Sequence, residues 1–311
     1  MKRVFTLALV FVLLFSCFAC APAQTSSSVK EIAFLPPAMT SPFYASCIDG
    51  AKPIADKAGF ELVVVAPESE SDYAAQMQIM EDMITRKVAG IAVCGINIDA
   101  LVAGVKKANE AGIPVVMFNT LTELAGGEVY AYSGYDQYNG GGKIADWVSA
   151  QTGGKANVAI IEGLPSDFTT LRMGGFVDRC AEQYPDVKVV ATQAGDWERE
   201  KGMNAAANML QAHPEINVFY GLSDEMALGA AQACKQANRD DIICIGLDGN
   251  PNAKEAVKNG ELTATLDVGP VAIGANAIDA LIKAINGQTI DSKIIEAETT
   301  VVDKTNVDQF L

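Results

Sequence analysis

Short runs of β-branched and apolar residues recur along the chain, each followed by a polar or aromatic loop and then a stretch of helical period. Glu31–Leu35, Glu61–Val65, Gly90–Cys94 and Ile113–Phe118 lead the first half, and Asn157–Ile161, Val187–Val190, Val218–Tyr220 and Ile242–Gly246 the second. This alternation predicts parallel sheets, which set every strand-to-helix loop along one edge of each sheet. Ligands of open α/β folds sit at that edge, so chemistry is to be sought in those loops.

Residues 72–86 have an amphipathic helical pattern, with Met77, Met80 and Ile84 one turn apart, and the methionines are assigned to the core. Glu128–Ser133 is a further strand, and the loop Gly134-Tyr135-Asp136 opens a helix near Gly140, where the chain is expected to enter a second lobe. The alternation then repeats to Leu262–Asp267, a strand broken at Gly269-Pro270. A long helix, Val271–Ile285, stops at Asn286-Gly287 and needs a sheet face to cover. The count of strands balances if this helix returns to the first lobe and a last strand near Thr299–Val302 crosses to the second. The prediction is an α/β protein of two doubly wound parallel-sheet lobes joined by a three-segment hinge, with a cleft between them. Residues 30–134 and 269–298 form the N-terminal lobe, and 135–268 and 299–311 the C-terminal lobe.

With 311 residues, half of them hydrophobic, the chain can bury two cores. Met1-Lys2-Arg3 is followed by an apolar run, Val4–Ala19, too short for a comfortable membrane span, and by Ala21-Pro22-Ala23. Residues 1–23 therefore read as an export signal and 24–29 as a polar linker, placing the mature protein in the periplasm or on the outer face of the cytoplasmic membrane. Sequences around Cys17 and Cys20 loosely match a lipoprotein signal, whereas Ala21-Pro22-Ala23 suits ordinary cleavage; a lipid anchor at Cys17 or Cys20 is the favoured outcome. The formal net charge is −15, and loss of Lys2 and Arg3 with the signal makes it 23 − 2 − 38 = −17. So acidic a body is a poor nucleic-acid binder. Downstream Cys47, Cys94, Cys180, Cys234 and Cys244 have apolar neighbours and read as buried thiols, though export leaves room for one disulfide.

Three loop groups stand out. In Thr40-Ser41-Pro42-Phe43-Tyr44, Ser41 is placed to cap a helix, Pro42 suits its first position, and two aromatics are expected at the cleft edge. In Ser223-Asp224-Glu225, Ser223 caps and the acids favour the helix N-terminus. In Gly246-Leu247-Asp248-Gly249, a carboxylate stands at a strand end beside a tight turn.

Together with Asp49-Gly50-Ala51, Ala55–Gly59, Ala111–Val116, Arg172-x-x-Gly175-Phe176 and Ser223–Gly229, these loops resemble, in order and spacing, the ribose-binding-protein-like solute receptors, or type I periplasmic binding proteins. The resemblance implies two lobes that close on a small hydroxylated ligand, delivered to an ABC permease, with no cofactor, no metal and no catalysis. It implies stacking from Phe43 and Tyr44 on the first lobe and from Trp197 on the second. It also implies a hydrogen-bond fork from Arg172, an acceptor in Asp248, and further contacts from Ser41, Asn119 and Ser223. A sugar offers apolar C–H faces and a rim of hydroxyls that must all be re-paired once water leaves. Charge-assisted bonds of about 1.5–3 kcal/mol each, with stacking, reach roughly −8 kcal/mol, a micromolar affinity. Sugar binders of the family commonly have Asp-Arg where this chain has Asn119-Thr120, an amide near Cys94 and a glutamine near Val268. The missing charged clamp implies a sugar, polyol or furanosyl compound with fewer or differently placed hydroxyls than ribose. A monomer is expected; an alternative readout is display of the closed form to a chemoreceptor or signalling partner.

Enzyme readings are weaker. Gly140-Gly141-Gly142-Lys143-Ile144-Ala145, with Glu162 twenty residues past Gly142, fits a dinucleotide fingerprint, but several residues separate it from the preceding strand. The only histidine, His213, stands at a helix end, and there is no Gly-x-Ser-x-Gly elbow or metal-spaced Cys/His cluster. A repressor with this sensor fold would need a helix-turn-helix where the export signal stands.

Overall fold

The computed structural model describes residues 30–311. The export signal, the linker and the lipid-anchor candidates Cys17 and Cys20 lie outside the described residues.

The first half runs β1 (Lys30–Leu35), α1 (Pro42–Lys57), β2 (Phe60–Val64), α2 (Tyr73–Arg86), β3 (Gly90–Val93), α3 (Ile98–Glu110), β4 (Val115–Phe118) and β5 (Ala131–Gly134). The second runs α4 (Gln137–Thr152), β6 (Ala156–Glu162), α5 (Asp167–Gln183), β7 (Val187–Ala194), α6 (Arg199–Ala212), β8 (Val218–Gly221), α7 (Asp224–Gln236), β9 (Ile243–Asp248), α8 (Pro251–Asn259) and β10 (Ala264–Asp267). Then follow α9 (Pro270–Ile285), β11 (Ile294–Glu296) and β12 (Thr300–Asp303).

These strands form two six-stranded sheets, β11-β5-β4-β3-β1-β2 and β12-β10-β9-β8-β6-β7. All pairings are parallel except that of β12 with β10. The chain passes from the first sheet to the second after β5, returns after β10 and crosses again between β11 and β12. Helix α9 covers the first sheet, packing on α1, β3, β4 and β5, while α4 packs on α5 in the second lobe.

Burial follows the strand period of two. Ile32 and Phe34 face the core beneath α1 and α9, whereas Ala33 and Leu35 face the core that holds Met80 and Leu101. Every residue of β3 and β4 is buried, as expected of strands covered on both faces. The methionine assignment holds for Met80, which is fully buried. One strand expectation shifts, as Glu128–Ser133 becomes β5 at Ala131–Gly134; β11, at Ile294–Glu296, was not expected and is too short to show a period.

The glycine run near residue 140 has a packing explanation. A Cβ on Gly141 would lie 2.1 Å from the Arg172 carbonyl oxygen, and one on Gly175 would lie 1.8 Å from that of Tyr138. The glycines thus let α4 and α5 touch backbone to backbone, fully inside the second lobe. All five described cysteines are buried and unbridged. Among the described residues no helix is long and apolar enough to cross a membrane, and no cluster of His, Cys, Asp or Glu is placed to hold a metal.

Candidate functional site

Between the sheets lies a cavity of about 400 Å³, counted to its open mouth. The eight residues singled out from the sequence all line it. Ser41, Phe43, Tyr44 and Asn119 come from the first lobe, and Arg172, Trp197, Ser223 and Asp248 from the second. They stand at strand ends, in the loops that follow, or in the opening turns of the next helix, because parallel sheets aim all these connections at one edge. Glu70, Phe168 and Glu225 line it as well.

Arg172 is the centre of the second-lobe wall. Its Nε donates to Gln137 Oε1 at 2.7 Å, and its Nη1 to the Leu222 carbonyl at 2.6 Å and to Asp248 Oδ1 at 3.4 Å. The guanidinium carbon lies 5.4 Å from the centre of the Trp197 ring and 5.9 Å from those of Tyr135 and Phe168, within cation–π range. Gln137 joins the lobes: its Oε1 also accepts from Tyr135 Oη, and its Nε2 donates to the Asn119 carbonyl at 3.0 Å. Nothing in its sequence surroundings marks Gln137, which is the first residue of α4.

Asp248 ends β9 with φ 140°, a conformation that side-chain-bearing residues rarely adopt. The turn behind it is fixed by a fully buried carboxyl, Asp224, which accepts from the Asn250 N–H at 2.7 Å and from the Thr265 hydroxyl at 2.5 Å. Asp224 is thus a buried brace and not the exposed helix-terminal acid its position suggests. Burial pushes the Asp248 carboxyl up to about 7 even with Arg172 pulling it down, and burial followed by the nearby Asp248 pushes Asp224 up as well. Ser223 caps α7 as expected, accepting from the Met226 N–H.

Trp197 owes its place to backbone. Gly195 and Asp196 donate to the Glu162 carbonyl, and Asp196 and Trp197 both have positive φ, 50° and 68°. The ring lies on Gly163, where a Cβ would come within 2.0 Å of Cζ2. Glu225, across the mouth, is held by Arg199 at 2.8 and 2.9 Å and by Asn252 at 2.7 Å.

The first-lobe wall differs from expectation in two ways. Phe43 and Tyr44 are only 3% and 5% exposed, so they are not open cleft-edge rings; they pack edge to face at 5.2 Å, and Tyr44 packs on Phe118. Ser41 occupies the cap position of α1 but its side chain makes no capping bond, and the residue lines the cavity instead. Where the amide of the resemblance would lie, Cys94 Sγ contacts Tyr44 Oη at 3.8 Å, and Val268 is fully buried. Asn119 is 2% exposed, has φ 60°, and its Oδ1 has no hydrogen-bond partner. Glu70 has no hydrogen bond or ion pair among the described residues, and burial raises it to about 7 against the pull of Arg172. Glu70 escaped notice because it is one of three acids in the polar stretch 67–72.

A sequence profile of the periplasmic binding protein domain matches residues 32–289. The chain is 31% identical over 275 residues to the ribose import binding protein RbsB of Escherichia coli K12, covering 88% of this chain and 91% of that protein. It is 30% identical over 269 residues to the D-allose-binding periplasmic protein of the same organism, covering 84% and 86%. A crystal structure of an ABC transporter periplasmic solute-binding protein from Actinobacillus succinogenes 130z with bound D-allose superposes with a TM-score of 0.85 at 34% identity, covering 90% of this chain and 99% of that one.

Proposed function

The chain belongs to the periplasmic binding protein family, a family of substrate-binding proteins and not of enzymes, and on that premise we propose that it captures a small hydroxylated solute between its lobes and delivers it to an ABC importer. The observation that carries this reading is the convergence of aromatic rings, a buried guanidinium and an adjacent carboxylate on one interlobe cavity. The rings of Phe43, Tyr44 and Trp197 would cover apolar C–H faces. Arg172 has Nη2 left to donate, while Asp248, Asn119 and Ser41 would pair with hydroxyls.

Residues 30–134 with 269–298, and 135–268 with 299–311, would act as the moving units about the three connecting segments. Contacts made to both walls at once bias the equilibrium towards the closed form. The Asn119 oxygen, buried without a partner, supports a ligand that donates to it, because an unmade buried hydrogen bond costs about 1–3 kcal/mol. The family relatives named for ribose and D-allose support a monosaccharide-sized guest, while Asn119-Thr120 in place of a charged pair favours one with fewer hydroxyl contacts on this side. Export with a lipid tether at Cys17 or Cys20 would keep the receptor beside its permease.

A thermal-shift panel of pentoses, hexoses, polyols and furanosyl compounds tests the reading. At least one should raise the melting temperature in a concentration-dependent way, since a ligand bound only by the folded form stabilises it. Chemical conversion of a bound panel member, or no shift with any of them, would overturn it.

A further inference from the structure

Four ionisable groups whose charge matters near neutrality line the cavity: Glu70, Glu225, Asp248 and Arg172. Three are already partnered. Glu225 is clamped by both nitrogens of the Arg199 fork, and Asp248 and Arg172 pair with each other. Glu70 alone has no partner among the described residues, although it is half-buried in the wall. The cavity thus holds one carboxyl left without a counter-charge, on the first-lobe side.

A carboxylate half withdrawn from water without a partner is costly, and a neutral hydroxyl relieves that cost only in part. An ammonium relieves more of it, supplying charge and three donors with no acceptor of its own. The surroundings favour the same guest. The neighbouring rings of Phe43 and Tyr44 also line this side, and ring faces attract cations. Asn119 Oδ1 is a further unpaired acceptor, and the acidic body, with 38 acids against 23 bases, draws cations towards the mouth.

We propose that Glu70 is a specificity-determining residue that pairs with a protonated amine on the ligand, so that the preferred ligands are amino sugars or amino polyols. This rests on the hydroxylated-solute reading of the cavity and narrows it: Arg172 and Asp248 engage hydroxyls, and Glu70 engages the amine.

Isothermal titration with matched pairs tests the assignment: D-glucosamine against D-glucose, D-galactosamine against D-galactose, and 1-amino-1-deoxy-sorbitol against sorbitol. In the unaltered protein the aminated member of at least one pair should bind about 10- to 100-fold tighter, the range of one charge-assisted hydrogen bond. In Glu70→Gln, which keeps size and polarity, that ratio should collapse to about one. Equal or tighter binding of the neutral member in every pair overturns the amine assignment and leaves the sugar-receptor reading standing. An equal loss of both members in Glu70→Gln overturns it too, since Glu70 would then serve hydroxyls. Binding of no member overturns both readings.

Discussion

On the second-lobe wall Arg172 is held by Gln137, the Leu222 carbonyl and Asp248, with Asp224 bracing the turn behind; on the first-lobe wall Glu70 and the Asn119 oxygen have no partner among the described residues. The two walls differ in how far their polar groups are fixed in advance. A side chain already locked by neighbours loses little freedom when a ligand arrives, so the second wall offers a preformed seat. The first wall holds unmade bonds that only a guest can complete. Under the proposed function, affinity would come mainly from the wired wall and discrimination from the open one. A site that pairs buried groups rejects analogues that leave them unpaired.

Removing the wired centre should have the largest effect. Arg172→Ala leaves Asp248 buried without its cation and should lower unfolding stability by about 3–5 kcal/mol, besides abolishing measurable ligand binding. The loss should be greater at about pH 8 than at about pH 5, where the carboxyl takes up a proton, and denaturant unfolding at the two pH values checks both size and sign. A destabilisation no greater than that of a surface substitution would show that the second wall is not prewired.

A smaller effect is expected from Gly163→Ala. The added methyl would overlap the Trp197 ring, and displacing it should cost about 1–3 kcal/mol, read as a lower melting temperature and as weaker binding of whichever panel compound binds the unaltered protein. Unchanged binding would show that Trp197 is not part of the seat.

The smallest change separates the walls by sign. Burial raises both Glu70 and Asp248 to about 7, so between about pH 4 and 7 the folded protein holds protons that the unfolded chain has released. Stability from these groups is therefore fully present at the acid end and lost as pH rises through about 7. Glu70→Gln removes one such group and should stabilise the unliganded protein by about 1 kcal/mol at about pH 8, with no gain near pH 4. Destabilisation at about pH 8 would mean that Glu70 has a partner and that the first wall is as complete as the second.

Ser41, Asn119, Trp197, Ser223 and Asp248 stand at strand ends or in the loops that follow, Phe43, Tyr44 and Arg172 in the opening turns of α1 and α5, and they were legible through motifs whose order resembles a family. Glu70 was not, since Glu68, Glu70 and Asp72 look alike in a polar loop, and only the fold sets one of them in the cavity wall. Gln137 was not, because an amide inside a helix has no local pattern; its role appears only where Asn119 and Arg172 converge on it. The sequence marked the glycines at 140–142 but not the purpose of Gly141, which is the approach of α4 to α5.

Strand and helix identity, and the pairing of loops with one sheet edge, were decided by the sequence itself, because periods of two and of about 3.6 residues reflect local backbone geometry. Which carboxylates are paired and which stand alone was decided only in the tertiary structure. Partnership depends on distance between segments remote in the chain: Asp248 lies 76 residues from Arg172, yet the two groups meet in one buried cavity.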